Sequence, residues 1–103
     1  MVHEFDSYRI YYHSAPQYNW QVMLDLYKGN RPVGRALFIK NGIPLPANVL
    51  REGLPLLHLP LNDFHNILLI LAMDKPLYIS LVPSNGIGTI STSNEAIGDL
   101  NKT

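Results

Sequence analysis

His58, Asp63 and His65 stand close together in the sequence, and imidazole nitrogens with a carboxylate are ligands that zinc or iron uses. Their spacing matches no established metal motif. Asp63 has a simpler role as the cap of a helix, with His65 projecting from the exposed part of the first turn, so neither a metal nor another cofactor is expected. Ser14, Ser80, Ser84, Ser91 and Ser93 include no Gly-x-Ser-x-Gly elbow, and the carboxylates form no pair flanking an obvious cleft. The stretch Ser84-Asn85-Gly86-Ile87-Gly88-Thr89 offers backbone amides to a phosphate but lacks the lysine and following helix of a phosphate-binding loop. A hairpin turn explains it better, and catalysis has no positive support in the residues.

Binding chemistry has more candidates. Tyr12, His13, Trp20 and His58 are the residues on which a ligand pocket between a sheet and a helix would draw. Arg9, Tyr11 and His13 share the outer face of one strand, where a polar binding surface competes with an ordinary solvated face. The aromatic residues could stack bases, but they are not interleaved with basic ones, so core and cross-strand packing accounts for them. Pro44-Leu45-Pro46 and Leu54-Pro55 could dock on a partner, although an ordered loop shelters their leucines equally well.

The elements that must position these residues follow from periodicity. Tyr8 to His13 alternates and predicts strand one; Trp20 to Tyr27 repeats the pattern with Trp20, Val22, Leu24 and Leu26 inward. Gly29-Asn30 is a two-residue hairpin signal of type II′, leading into a strand over about Val33 to Lys40 that Asn41-Gly42 ends. Ile43 to Pro60 carries four prolines among leucines and predicts an extended, ordered loop with at most a short helical turn at Ala47 to Arg51. A helix capped by Asn62 or Asp63 should run to Met73 and stop before Lys75-Pro76. Leu77 to Val82 and Ile87 to Thr92 form the last two strands about the Asn85-Gly86 turn, and residues 93–103 are expected to fray. The prediction is an α+β domain, one antiparallel sheet of about five strands curled towards a barrel, with one helix in the order β-β-β-loop-α-β-β.

At 103 residues one core is expected, its ordered body running over residues 6–92. Lys plus Arg number 8 and Asp plus Glu number 8, which leaves no net field to steer the chain onto nucleic acid or an anionic membrane. Cysteine is absent, which removes disulfides and thiolate chemistry and suits the cytoplasm. The first residues have neither the basic segment nor the apolar run of a signal peptide, and Ile67 to Met73 is too short to span a bilayer, so neither secretion nor a membrane span is expected.

In its early Tyr-rich strand, Gly42-Ile43-Pro44-Leu45-Pro46-Ala47, Leu57-His58, Asp63-Phe64 and Lys75-Pro76-Leu77-Tyr78-Ile79, the chain resembles a group of short uncharacterised bacterial proteins. The resemblance implies a bacterial, cytoplasmic protein and transfers no active-site residues. The helix is where the chain departs from that pattern. Phe64, Ile67, Leu68 and Leu71 gather on one stripe, while Leu69, Ile70 and Met73 fall on the flank and opposite side. Either the proline-rich loop or a second subunit must then cover those three. The resulting expectation is a small non-enzymatic binding or assembly protein acting as a homodimer; a ligand-binding domain is the alternative, and a small enzyme a third.

Overall fold

The computed structural model describes residues 1–73 and 75–94. Eight strands and one helix follow in order: β1 (Val2–Phe5), β2 (Ser7–Tyr12), β3 (Trp20–Lys28), β4 (Arg31–Ile39), β5 (Val49–Arg51), β6 (Leu54–Pro60), α1 (Phe64–Leu71), β7 (Leu77–Val82) and β8 (Ile87–Ser91). They form two sheets, a three-stranded one ordered β1-β7-β8 and a five-stranded one ordered β2-β3-β4-β6-β5. The α+β class stands. The single sheet curling towards a barrel does not, because an additional strand, β1, precedes the expected first strand, the chain breaks at Asp6 between the two, and β1 joins β7 and β8 in a sheet of their own.

That break is held by polar contacts. The Asp6 carboxylate accepts the Gly29 N–H at 3.0 Å, and Lys75 Nζ donates to the Asp6 carbonyl. Lys28 Nζ donates to Glu4 at 2.8 Å, which ties β3 to β1 across the two sheets. Gly29 has φ 61° while Asn30 keeps a negative φ, the arrangement of a II′ turn.

The five-stranded sheet presents Val22, Leu24 and Leu26 of β3 and Val33, Ala36 and Phe38 of β4 to the core, where Phe5, Leu77, Ile79 and Leu81 of the smaller sheet meet them. Approach is close at Gly34 and Gly88: a Cβ on Gly34 would lie 2.7 Å from Ile79, and one on Gly88 only 2.3 Å from Leu57. Trp20 was expected in this row but is absent from the core cluster. The β3–β4 register shifts between Trp20 and Val22, and such a bulge re-aims the side chain.

The expected loop over Ile43 to Pro60 also needs correction, since it contains β5 and β6, and β6 runs parallel to β4 from Arg35↔Leu56 to Ile39↔Pro60. Pro55 fits because its position precedes that ladder. Opposite, Arg51 and Leu54 flank the two-residue Glu52-Gly53 turn, so the next pair, Leu50↔Pro55, is the one without hydrogen bonds and misses no donor.

Asp63 occupies the cap position of α1 in a helical conformation, φ −89° and ψ −1°, without a side-chain cap bond. A 3₁₀ turn, Leu61–Asp63, runs directly into the helix, and a capping side chain needs the extended backbone that this turn replaces. Ile67 and Leu71 are buried, and Phe64 and Ile70 pack against the core. Ile70 was expected outside and Leu68 inside; the structure reverses them, with Leu68 exposed. Among the described residues no helix is long and apolar enough to cross a membrane. The expected fraying of 93–103 lies, from residue 95 onward, outside the described residues.

Candidate functional site

Three of the four candidate ligand residues come together. Tyr12 ends β2, and its hydroxyl accepts from Gln21 Nε2 at 3.0 Å; His13 follows and packs perpendicular to Trp20 with ring centroids 4.1 Å apart. Tyr18 stacks on Trp20 at 5.7 Å. The Ala15 N–H donates to His13 Nδ1 at 3.0 Å, so the neutral ring carries its proton on Nε2. That nitrogen is buried with no hydrogen-bond partner among the described residues. An edge-to-face ring contact is where an N–H can meet a π face instead of an oxygen. The cluster closes the 13–19 turn, and Lys40 Nζ donates to the Ala15 carbonyl at 2.8 Å to complete it.

His58 is elsewhere. It lies on β6, separated from β2 by β3 and β4, with its Nδ1 2.9 Å from the Ala47 carbonyl. Since a carbonyl only accepts, Nδ1 holds the proton. Burial lowers the His58 pKa from its usual value, and the Ala47 hydrogen bond opposes that in part. The neighbouring Asn48 is a residue that nothing in the sequence singled out: its Oδ1 accepts the His58 N–H at 2.7 Å and its Nδ2 donates to the Gly86 carbonyl at 2.9 Å. It thereby ties β6 to the β7–β8 turn. His58, Asp63 and His65 form no metal-holding group among the described residues.

The outer face of the larger sheet bears a cleft of about 320 Å³, open to solvent and lined by Asp25, Tyr27, Arg35, Arg51, Glu52 and Leu54 among others. It lies on the face opposite α1, because Asp25 and Arg35 alternate with the core residues Leu24 and Ala36. The Asp25 side chain is 13% exposed, and its carboxylate accepts Arg35 Nε at 2.5 Å and Nη2 at 3.4 Å. Glu52 on the rim has φ 53°, a left-handed conformation unusual for a residue with a side chain beyond Cβ. The cleft offers two guanidinium groups and two carboxylates, a mixed-charge surface for a small polar molecule.

The third surface is β2 itself. It forms one edge of the larger sheet, and all six of its residues are exposed. Tyr8, Ile10 and Tyr12 lie on the inner face at 42%, 40% and 71% exposure, beside Leu26, Leu24 and Val22. Arg9 and Tyr11 lie on the outer face, with the Arg9 guanidinium 5.2 Å from the centroid of the Tyr27 ring. Leu69 and Met73, the expected interface residues of α1, are exposed as well, at 54% and 58%.

Fold and surface together define a small two-sheet α+β domain with an aromatic open edge. The chain matches no protein-family model, no curated protein and no solved structure.

Proposed function

We propose that this chain is a small non-enzymatic binding or assembly protein that acts as a homodimer, with β2 as its contact element. The observation that carries the reading is the six-residue exposed edge of β2, with three large apolar side chains on one face. Proteins usually blunt such an edge with lysine, proline, a bulge or a very short strand. β2 contains no lysine or proline, its one charged residue, Arg9, lies over the Tyr27 ring on the outer face, and it pairs with β3 without a register shift, whereas the opposite edge, β5, is three residues long. The helix supports association less well, since Ile70 turns to the core and, of its expected apolar outer side, only Leu69 and Met73 remain exposed, joined by Leu68. Pairing along one six-residue strand belongs with the small interfaces, below roughly 1,200 Å², that weak and transient associations use, and a micromolar dissociation constant is expected.

Sedimentation equilibrium tests the reading. Mass should rise from one chain to two across the micromolar range, and a single-chain mass up to the highest soluble concentration overturns it. The cleft at Asp25 and Arg35 favours a second reading, a small-ligand-binding domain whose site lies on the outer face of the sheet and not between sheet and helix. Saturable chemical-shift changes at Arg35, Arg51 and Glu52 with a small zwitterion such as an amino acid would support it, and their absence at millimolar ligand would count against it.

A further inference from the structure

We infer that β2 pairs with β2 of a second copy of this chain, antiparallel and in one register, with Ile10 directly opposite Ile10 on the twofold axis; this rests on the reading that β2 is the contact element.

Backbone polarity restricts the register. The His13 N–H donates to the Gln21 carbonyl at 3.2 Å, in line with the β2–β3 register. Hydrogen-bonded pairs alternate along an antiparallel ladder, so Ser7, Arg9 and Tyr11 also turn their backbone groups towards β3. The N–H and C=O groups of Tyr8, Ile10 and Tyr12 therefore point to the open side. A second strand must place outward-facing residues opposite outward-facing residues, which excludes every register that sets an even-numbered position against an odd one.

Side chains select among the registers that remain. Centring the axis on Arg9 sets its guanidinium against its own copy, a like-charge pair in the close, non-hydrogen-bonded position. An axis on Tyr11 carries Tyr8 past the end of the partner strand. With the axis on Ile10, Tyr8 faces Tyr12 of the second copy in both directions, and the three outward pairs exchange about six hydrogen bonds. Tyr8, Ile10 and Tyr12 then form an apolar ladder on the inner face. On the outer face Arg9, already over Tyr27, meets Tyr11 of the second copy, so the one charged residue of β2 gains a second aromatic face and opposes no charge. The chain's formal net charge of zero adds no long-range repulsion between copies. The two five-stranded sheets become one continuous sheet.

Because the chain has no cysteine, single replacements report the register directly. Opposed residues of a hydrogen-bonded pair have Cα atoms about 5.5 Å apart, within reach of a disulfide. Mild oxidation should convert most of Ile10→Cys to covalent dimer and leave Leu69→Cys monomeric. Tyr8→Cys and Tyr12→Cys should each crosslink poorly alone and efficiently when mixed, a pattern that survives even if Ile10→Cys folds badly. Ile10→Pro removes only an outward N–H and should sediment as a folded monomer. A wild-type dimer in which Leu69→Cys crosslinks and the β2 variants do not overturns the register and keeps the homodimer; a wild-type monomer with no crosslinks overturns both.

Discussion

Asp25 is one of two buried polar residues among those described. Its carboxylate is nearly buried on a sheet face, bonded to Arg35 on β4 and opposite Arg9 on β2. Removing Arg35 takes away both hydrogen bonds of a nearly buried carboxylate and leaves Arg9 across the strand pair as the nearest cation in the register, whereas removing the carboxylate leaves a half-exposed guanidinium that water can solvate. We expect Arg35→Met to cost about 1–2 kcal/mol in urea unfolding and Asp25→Asn to cost less, the partial exposure of Arg35 holding the figure below that of a fully buried pair. The His58 pKa is lowered by burial, so between that depressed value and the ordinary imidazole range the unfolded chain binds a proton that the folded chain does not. Stability should fall as pH drops below the ordinary range, with the loss complete below the folded-state pKa. His58→Gln should flatten that dependence in thermal melts taken over a pH series, and an unchanged profile would mean that another group carries it.

At the scale of elements, the small sheet sits on the large one through two glycines without side chains. Gly88 is the tighter contact: an added Cβ would meet Leu57 at 2.3 Å and Asn48 Nδ2 at 3.2 Å, so both the packing of β8 on β6 and the Asn48 bridge would have to give. Gly88→Ala should destabilise the fold by about 1–3 kcal/mol, which chemical denaturation would measure. The Glu52-Gly53 hairpin offers the opposite case. With Glu52 at φ 53°, Glu52→Gly should stabilise by up to about 1 kcal/mol, the relief of left-handed strain being offset in part by the greater freedom of glycine in the unfolded chain. If the cleft binds a ligand through Glu52, the same variant should lose that binding while it gains stability.

Across the molecule as a whole, the edges of the sheets are the features left open by the fold. β1, β8 and β5 are four, five and three residues long, and β2 is the longest edge at six. Concentration-dependent protection in hydrogen exchange should therefore appear at the amides of Tyr8, Ile10 and Tyr12, those on the open side, while Arg9 and Tyr11 stay protected at every concentration. Equal protection of all five at low concentration would remove β2 from the account. Leu69→Glu should leave the sedimentation behaviour unchanged, which separates the strand from the helix as the contact.

The strands of greatest regularity were legible in the chain. Alternation from Val22 to Leu26 and the Gly29-Asn30 turn specify the β3–β4 hairpin locally, since a period of two and one positive φ are properties of neighbouring residues. The position of the helix, the absence of cysteine and the balance of charge were equally plain. Leu54 to Pro60 does not read as a strand in the sequence, because proline argues against one unless its missing N–H faces a gap in the ladder, and that gap exists only once β4 lies alongside. Trp20 reads as core until the bulge turns it towards His13 and Tyr18. His58 could be named as a candidate, but its separation from Tyr12 and His13 depends on β3 and β4 lying between them. The Asp25–Arg35 cleft lies across β3, β4 and the β5–β6 hairpin, and no local pattern brings those elements together. Sequence periodicity decides which face of a strand is apolar; only the tertiary arrangement decides which strand stands at the edge, because that depends on which long-range pairings close and which backbone groups they leave open.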